Sequence, residues 1–197
     1  MQRFVRECRI TPQTRVLDIG GTPENWELID VSPRLVLLNM PRREEVFGIA
    51  RGIAWVAGDG RALPFRDAAF DVVFSNSVIE HVGDPASQEQ FAREVARVGC
   101  AFWVQTPNRW FPVEQHLLTP LVHWLPKSWQ AAIVRRGTVW SALTRPSPDR
   151  RDFYIEHFLR DIRLLGMGEL QRLFPGARIV RERFLGMTKS LIACRLP

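Results

Sequence analysis

Short runs of almost uninterrupted apolar residues recur through the first half of the chain and predict buried strands. The runs cover residues 15–20, 34–39, 52–57, 70–74 and 100–105. Runs that lack alternation of apolar and polar positions are typical of strands covered on both faces, as in a parallel sheet between two layers of helices. Helix and turn signals lie between the runs, so the pattern up to residue 106 predicts an α/β fold with a doubly wound, mostly parallel sheet.

A helical spacing of apolar residues follows the fourth run. Ser87 is a suitable N-cap for a helix over 88–98, and Gly99 is a suitable stop. The apolar residues of this segment follow one face, which predicts that the helix packs against the sheet.

The end of the chain carries the signals of a helix and a hairpin. A helix is expected over 164–174, because the Pro-Gly pair at 175–176 would stop it. Residues 177–184 and 188–195 have strand character and flank a turn at Gly186. They predict an antiparallel hairpin that closes one edge of the sheet.

Residues 107–152 form a segment that is too long for an ordinary connection. We expect one domain over 1–197, with this segment inserted as a partly helical cap over the carboxyl edge of the sheet, where open α/β sheets bind ligands. The segment contains Trp110, Trp124, Trp129 and Trp140. We expect these side chains to form the cap's own small core. Stacking on an aromatic acceptor and contact with a membrane interface stay open as alternatives.

Composition limits the number of domains and the cellular compartments that suit this chain. The 197 residues suit a single domain, and no apolar run approaches the ~20 residues of a membrane-spanning helix. Residues 1–10 contain three arginines and do not resemble a secretory signal. The three cysteines are scattered, which favours a reducing, cytoplasmic location and indicates neither a disulfide framework nor a zinc site.

The net charge of +6 is concentrated in the second half of the chain. Residues 1–100 contain 12 arginines and 14 acidic residues, whereas residues 101–197 contain 15 basic and 7 acidic residues. A basic half would suit nucleic acid, an anionic membrane surface or an acidic substrate. Nearly all of the basic residues are arginines, a bias that genome base composition also produces, so the charge does not choose among these partners.

A glycine-rich turn follows the first predicted strand directly, in the order Asp18-Ile19-Gly20-Gly21-Thr22-Pro23. Gly20 and Gly21 allow a sharp turn and a close approach of a ligand to the backbone. Thr22 is a suitable N-cap, with Pro23 at the first helical position. A tight strand-to-helix turn without a ligand would show the same residues.

A second motif, further along the chain, indicates what the glycine-rich turn could bind. The contiguous residues 58–82 contain Gly58-Asp59, Leu63-Pro64-Phe65, Phe70-Asp71 and Ile79-Glu80-His81-Val82 in that order. With the preceding Val16-Leu17-Asp18-Ile19-Gly20, this segment resembles the class I S-adenosylmethionine-dependent methyltransferases, and in particular their type 11-like group. The resemblance covers residues 14–105, and the final hairpin also looks like the closing strands of the family. It implies a Rossmann-like methyltransferase fold and an enzyme that uses S-adenosylmethionine.

The resemblance also implies which residues bind the cofactor. The turn from Asp18 to Thr22, with Gly20 and Gly21, would pack against the methionine and the ribose, and Asn39 would meet the ribose hydroxyls. Asp59 would reach the adenine amino group, with Gly60 and Arg61 offering backbone contacts. Ser75 and Asn76 would line the methionine end.

Two departures from the family pattern leave a further possibility open. Thr22 and Glu24 replace later glycines of the turn, and Asn39 stands where most members have an acidic residue. A carboxylate would bind a diol more strongly than an amide does. A degenerate, non-catalytic binding protein with the same fold is therefore an alternative.

Candidate catalytic and substrate residues follow the fourth and fifth strands. His81 and His116 are candidate bases, because histidine exchanges protons near neutral pH. The segment 106–116 resembles a pattern found in some of the same methyltransferases, which implies that Asn108, Trp110 and Glu114 contact substrate. Structural pairing among the polar members of this segment, or an anchoring role for His81, would explain the same residues.

Metal binding is not expected. Some related quinone-biosynthesis O-methyltransferases use Glu-x-x-Glu-His as a metal site, but the first position here is Ser77, before Glu80 and His81. His157 is interpreted as an ordinary core or surface histidine.

The sequence therefore predicts methyl transfer to a small-molecule acceptor, which the basic charge and the aromatic cap suggest is anionic or amphipathic, such as a lipid or glycan precursor. Peripheral membrane contact stays open, and no oligomeric state is predicted. A nucleic-acid methyltransferase is an alternative, but Ser77 and Val78 follow Asn76 in place of the Pro-Pro-aromatic sequence of amino-group DNA methylation. A nicotinamide dehydrogenase would require Gly-x-Gly-x-x-Gly, which the turn after Asp18 lacks.

Overall fold

A mixed sheet of eight strands runs through the centre of the protein in the computed structural model. The structure describes residues 1–40, 49–50, 53–114, 119–155 and 162–197. His116, His157 and Gly52, the first residue of the predicted third strand, lie outside the described residues.

The strands alternate with helices through the first half of the chain. The strands are β1 Arg15–Ile19, β2 Arg34–Asn39, β3 Ile49–Ala50, β4 Ile53–Ala57, β5 Phe70–Asn76, β6 Gly99–Pro107, β7 Val113–Glu114, β8 Thr119–Pro120, β9 Arg178–Phe184 and β10 Met187–Arg195. The helices are α1 Gln2–Glu7, α2 Pro23–Trp26, α3 Pro85–Val98, α4 Lys127–Arg136, α5 Val139–Thr144, α6 Pro148–Tyr154 and α7 Met167–Leu173. Within the described ranges, single-turn 3₁₀ helices cover Ile79–His81 and Val122–Trp124.

The order of strands in the main sheet is β3-β4-β2-β1-β5-β6-β10-β9. The pairs within β4-β2-β1-β5-β6 are parallel, whereas β10 is antiparallel to both β6 and β9. Strand order therefore reverses between β1 and β5, which creates the crevice in which open α/β sheets bind ligands. The predicted doubly wound, mostly parallel sheet with an antiparallel C-terminal hairpin is confirmed.

Each central strand buries both of its faces, as the uninterrupted apolar runs predict. Neighbouring residues of β1 and β5 contribute to two different core clusters, with Val16 and Phe74 on one side and Leu17 and Val73 on the other. The first cluster includes residues of α1 and α2, and the second includes residues of α3 and α7. Burial of each large apolar side chain contributes about 1.5–3 kcal/mol, so the strand ends are held by a well-packed scaffold.

Helix α3 begins earlier than the sequence predicts. Asp84 is its N-cap, and the Asp84 carboxylate accepts a hydrogen bond from the Ser87 backbone N–H at 2.8 Å. The prediction of Ser87 as the cap is wrong, because Asp84 with Pro85 at the first helical position supplies a better start. Gly99 ends the helix as predicted.

The C-terminal elements also differ at one boundary. Helix α7 begins at Met167 rather than at 164, because Gly166 donates its N–H to Glu169 at 2.9 Å and so forms the N-terminal cap. The predicted hairpin is confirmed, and its turn is formed by Leu185 and Gly186, both with positive φ.

The segment 107–152 contains the hairpin of β7 and β8, the helices α4 and α5, and most of α6, which ends at Tyr154. Val122 and Val134 form a small core, and Trp140 packs against it. The expectation that all four tryptophans form this core is wrong, because Trp110, Trp124 and Trp129 are 66%, 48% and 64% exposed. Among the described residues, no helix has the length and apolar character needed to cross a bilayer.

Candidate functional site

A cleft of about 560 Å³ lies at the carboxyl ends of the parallel strands, beside the point where the strand order reverses. Its described lining residues are Ile19, Gly20, Leu38, Asn39, Met40, Gly58, Asp59, Gly60, Arg61, Val78, His81, Val82, Gly83 and Phe91. A volume of this size is typical of a pocket for a small molecule or a cofactor. Gly20, Asn39, Asp59, Gly60, Arg61 and His81 are the sequence-predicted site residues that the structure brings together here.

The glycine turn after β1 cannot carry side chains. Gly20 has a φ of +78°, and a Cβ on it would lie 2.5 Å from Val78 Cγ2. A Cβ on Gly21 would lie 1.7 Å from the Asp18 carboxylate. The turn therefore needs both glycines for its own packing, and Gly20 presents its backbone to the cleft.

Asp18 lies behind the turn and is not among the residues that line the cleft. It is 1% exposed, and Trp26 Nε1 donates to its Oδ2 at 2.8 Å. Its Oδ1 has no hydrogen-bond partner among the described residues. Burial raises the pKa of Asp18 to about 7, although the bond from Trp26 acts in the opposite direction. Thr22 is the N-cap of α2 by its backbone and makes no capping bond with its side chain.

Asn39 connects the end of β2 to the glycine turn. Its Nδ2 donates to the Gly21 carbonyl at 3.0 Å. Since the amide nitrogen is used in this way, Oδ1 is the atom of Asn39 that can accept a hydrogen bond from a ligand hydroxyl.

Asp59 and Arg61 form a closed pair within one loop. Arg61 donates to the Asp59 carboxylate from Nε at 2.9 Å and from Nη2 at 2.6 Å, and its backbone N–H donates at 2.9 Å. These hydrogen bonds hold the pKa of Asp59 below its usual range. Gly60 lies between them, and a Cβ on it would lie 2.8 Å from the ring of Phe91. Asp59 is therefore an ionised, oriented acceptor at the cleft.

Ser75 and Asn76 lie apart from the lining of this cleft. Ser75 is fully buried, and its hydroxyl donates to the Ile19 carbonyl at 3.4 Å. Asn76 lines a separate cavity of about 90 Å³, together with Asn25 and Gln105.

Glu80 and His81 are held in a 3₁₀ turn after β5. The side chain of Glu80 is completely buried and accepts a hydrogen bond from the Thr106 hydroxyl at 2.9 Å. His81 Nε2 lies 4.0 Å from Glu80 Oε1, and the imidazole is 28% exposed at the cleft. Ser77 instead donates its hydroxyl to Gln105 at 3.0 Å. No group of three potential metal ligands occurs within the part of the chain that the structure describes.

The predicted substrate residues are not brought together around one cavity. Asn108 Nδ2 donates to the Thr188 carbonyl at 2.8 Å, which ties the end of β6 to β10. Trp110 is exposed, and the Arg109 guanidinium lies 5.3 Å from its ring centroid. Glu114 is buried and lines a second cavity of about 160 Å³.

Besides the predicted Glu114, the second cavity contains polar residues that the sequence analysis missed. They are Arg109, His123, Lys127 and Gln130. Burial lowers the pKa of His123, which favours the neutral imidazole. The residues are spread through the segment 107–152 without a recognisable spacing, and only their contacts reveal the group.

Among the lining residues of the main cleft, Val78, Val82, Gly83 and Phe91 were also missed. Val78 and Val82 lie within the recognised motif and could have been selected from their position after β5. Phe91 carried only a helix-packing signal. None of the described residues in 107–152 lines this cleft.

Comparison with known families agrees with this geometry. The sequence model of the family described as "Methyltransferase domain" matches residues 14–100, which contain the cleft-lining ends of β1, β2, β4 and β5. A curated relative is the mitochondrial 2-methoxy-6-polyprenyl-1,4-benzoquinol methylase of Danio rerio, 34% identical over 100 residues. This match covers 46% of the chain but only 30% of the relative, so the chain corresponds to less than a third of that protein.

Solved structures share the fold at low sequence identity. The PH0226 protein of Pyrococcus horikoshii OT3 aligns with a TM-score of 0.57 and 16% identity, over 100% of this chain and 86% of that one. The structure of PigF with SAH aligns with a TM-score of 0.54 and 16% identity, over 98% of this chain and 60% of that one. At these identities the likeness shows the fold.

Proposed function

We propose that the chain is a class I S-adenosylmethionine-dependent methyltransferase, and that it transfers a methyl group from S-adenosylmethionine to a small-molecule acceptor. The observation that carries the proposal is the cleft of about 560 Å³ at the switch point of the sheet. Its lining combines the bare backbone of the glycine turn, an amide from β2 and an ionised carboxylate after β4.

These residues fit an adenosyl sulfonium. Gly20 would contact the methionine and ribose portion through its backbone, with Gly21 setting the shape of the turn. Asn39 Oδ1 would accept a hydrogen bond from a ribose hydroxyl, because its Nδ2 is held by the Gly21 carbonyl. Asp59 would accept from the adenine amino group, and Gly60 and Arg61 would border the base.

The remaining residues of the predicted cofactor set would act on the shape of the cleft. Asp18 fills the space behind Gly21, and Ser75 holds the Ile19 carbonyl at the end of β1. Thr22 begins α2, and Asn76 ends β5 beside a separate cavity. We assign these four residues supporting roles.

The bound sulfonium would supply an electrophilic methyl group, which leaves alignment of the acceptor and exclusion of water to the protein. His81 is the described residue best placed to accept a proton from an acceptor hydroxyl, because its imidazole lines the cleft. Glu80 beside it is fixed by Thr106 and orients this turn. His116 is a second candidate base, from the sequence alone.

For the acceptor, we propose an anionic or amphipathic small molecule. The excess of positive charge in residues 101–197 supports this, and the name of the zebrafish relative refers to a polyprenylated benzoquinol. Glu114 in the second cavity is a candidate contact for a polar group of the acceptor. Asn108 and Trp110 would support that region, Asn108 through its bond to β10.

The proposal is tested by calorimetric titration with S-adenosylhomocysteine, followed by transfer of labelled methyl groups to candidate acceptors. We expect one binding site per chain and label in small organic-soluble acceptors. Absence of binding would favour the non-catalytic alternative. Label in RNA or DNA, with an affinity that falls steeply as salt rises, would favour the nucleic-acid alternative.

We further propose a reducing, cytoplasmic location. All three cysteines are free, and Cys8 and Cys194 are buried as thiols in the same core cluster. Thiol trapping in denaturant, performed on protein taken directly from cells, should alkylate three cysteines. A disulfide in that experiment would contradict the proposal.

A further inference from the structure

Three of the seven tryptophans are nearly half exposed or more, and all three lie between residues 110 and 129. Trp110, Trp124 and Trp129 are 66%, 48% and 64% exposed, and Leu121 beside them is 49% exposed. Tryptophan is highly buried on average, and clustered exposed apolar side chains mark an interaction site. We call Trp110, Leu121, Trp124 and Trp129 the aromatic surface.

Contacts show that Trp110, Leu121 and Trp124 are neighbours. Trp124 Nε1 donates to the Arg109 carbonyl at 2.8 Å, and the Arg109 guanidinium lies 5.3 Å from the ring centroid of Trp110. Both indoles therefore flank the same arginine. The Leu121 N–H donates to the Pro112 carbonyl at 2.7 Å, which holds Leu121 against the chain just beyond Trp110. Trp129 follows in the first turn of α4.

Positive charge borders the aromatic surface. On α4, Trp129 and Arg136 are exposed and seven residues apart, so they share one helix face. Gln130 and Val134 are buried on another face of the same helix. Lys127 at the start of α4 is exposed and donates to the Ile162 carbonyl at 2.9 Å. The Arg109 side chain is 39% exposed and is paired with Glu169 at 2.8 Å, so Arg136 is the rim cation on which the charge argument mainly depends. Indole rings bordered by cations match an anionic bilayer surface, where an apolar acyl-chain zone lies next to a layer of phosphate headgroups.

We propose that the aromatic surface docks this protein peripherally onto an anionic phospholipid bilayer. Tryptophan prefers the interface between headgroups and acyl chains, because its ring is apolar and its N–H is polar. Arginine and lysine side chains beside it meet lipid phosphates and keep their stems in the apolar zone. The cations favour this occupant over a second copy of the chain, since two such rims would repel each other.

This inference goes beyond methyl transfer and does not rest on it. Docking concerns residues 109–136, whereas the proposed cofactor residues end β1, β2 and β4 on the other part of the sheet edge. If both proposals hold, a docked enzyme meets an amphipathic acceptor at the surface where that acceptor accumulates.

The test is co-sedimentation with vesicles of phosphatidylcholine, with and without phosphatidylglycerol. The variant Trp110→Ser/Trp129→Ser removes two exposed indoles, and the matched control Leu28→Ser/Leu185→Ser removes two apolar side chains that are 68% and 82% exposed elsewhere. We expect the full chain to bind the anionic vesicles, the tryptophan variant to bind at least about tenfold more weakly, and the control to bind as the wild type does.

The electrostatic part is tested with Arg136→Gln, matched by Arg183→Gln on the exposed strand β9. We expect Arg136→Gln to lower the partition coefficient about fivefold, because a cation close to an anionic surface contributes an attraction of about that size. Arg183→Gln should have a smaller effect, because the attraction falls off with distance from the docked face. Circular dichroism and calorimetry with S-adenosylhomocysteine confirm that each variant is folded and establish methyl-donor binding separately.

Three results would overturn the docking proposal. One is wild-type binding to neither kind of vesicle. Another is equal vesicle binding by the tryptophan variant and the wild type. The third is a concentration-dependent dimer in sedimentation velocity that the tryptophan variant abolishes while vesicle binding is absent, which would assign the aromatic surface to a second copy of the chain.

Discussion

At the scale of single residues, the pair of Asp59 and Arg61 determines what the cleft can recognise. Three hydrogen-bonding groups of Arg61 point at one carboxylate, so Asp59 is ionised and fixed before any ligand arrives. A fixed acceptor loses little conformational entropy when it binds an exocyclic amine. The spacing of the two residues gave no sign of this pairing, which depends on the curvature of the loop.

The first prediction concerns Asp59→Asn. The change replaces an ionised acceptor by a neutral amide that also donates, and hydrogen bonds to charged groups are worth about 1.5–3 kcal/mol. We expect the dissociation constant of S-adenosylhomocysteine to rise at least about tenfold in calorimetry. Asp67→Asn is the matched control, because Asp67 pairs with Arg97 away from the cleft. Equal affinities in the two variants would exclude the proposed role of Asp59.

The second prediction concerns the buried carboxyl of Asp18. Burial raises its pKa in the folded protein to about 7, whereas an unfolded aspartate ionises near ~3.9. Between these two pKa values Asp18 is protonated in the folded state and ionised in the unfolded state. The contribution of the protonated Asp18 to the free energy of unfolding is therefore complete below about pH 4 and is lost as the pH rises to about 7. Asp18→Asn cannot ionise and should remove this dependence.

Urea unfolding at pH 5 and pH 8 measures the effect. From pH 5 to pH 8, the wild type should lose about 2–3 kcal/mol of unfolding free energy relative to Asp18→Asn. Asp30→Asn changes an exposed aspartate nearby and should leave the difference between the two pH values as it is in the wild type. Parallel behaviour of the wild type and Asp18→Asn would show that Asp18 is ionised in the fold.

At the scale of elements, the buried strands were predictable and the caps were less so. An uninterrupted apolar run such as β2 has one physical explanation in an α/β protein, which is burial on both faces. Asp84 and Ser87 are both capping residue types three positions apart, and the prediction missed that Pro85, directly after Asp84, favours the earlier start. Asn108 was placed at a substrate site from its motif, but its side chain is used by β10.

The third prediction tests the cap of α3. Asp84→Ala removes the carboxylate that accepts the Ser87 N–H, whereas Ser87→Ala keeps that N–H and loses only a hydroxyl. Thermal unfolding followed by circular dichroism should give a lower midpoint for Asp84→Ala than for Ser87→Ala. The bond to the Ser87 backbone lowers the pKa of Asp84, so the difference between the variants should shrink as the pH falls below about 4. A lower midpoint for Ser87→Ala than for Asp84→Ala would indicate that Ser87 is the N-cap of α3.

At the scale of the whole molecule, two packed layers hold the strand ends that form the cleft. Phe91 belongs to the core cluster shared with α7 and also lines the cleft beside Gly60. Core packing and the proposed cofactor site therefore meet at one aromatic ring. The order of the strands could be inferred from the resemblance, but this contact could not, because it joins a helix-packing residue to a loop glycine.

The last prediction uses this coupling. A ligand at about 100 times its dissociation constant stabilises the folded state by about 2.7 kcal/mol, which for a chain of this size raises Tm by about 5–10 °C. We expect saturating S-adenosylhomocysteine to produce such a shift in the wild type. Gly60→Ala places a Cβ 2.8 Å from the ring of Phe91 and should lower both the basal Tm and the ligand-induced shift.

Gly168→Ala is the matched control for this experiment, because the nearest atom to its added Cβ is the end of the flexible Arg172 side chain at 3.8 Å. It should keep the full ligand-induced shift, with a basal Tm at or above that of the wild type, since alanine favours the helix α7. A full ligand-induced rise of Tm in Gly60→Ala would show that packing at Phe91 and ligand binding are not coupled. If S-adenosylhomocysteine raises the Tm of none of the three proteins, the cleft does not bind this cofactor product, although the fold stands. The contact between the ring of Phe91 and Gly60 would then serve stability alone.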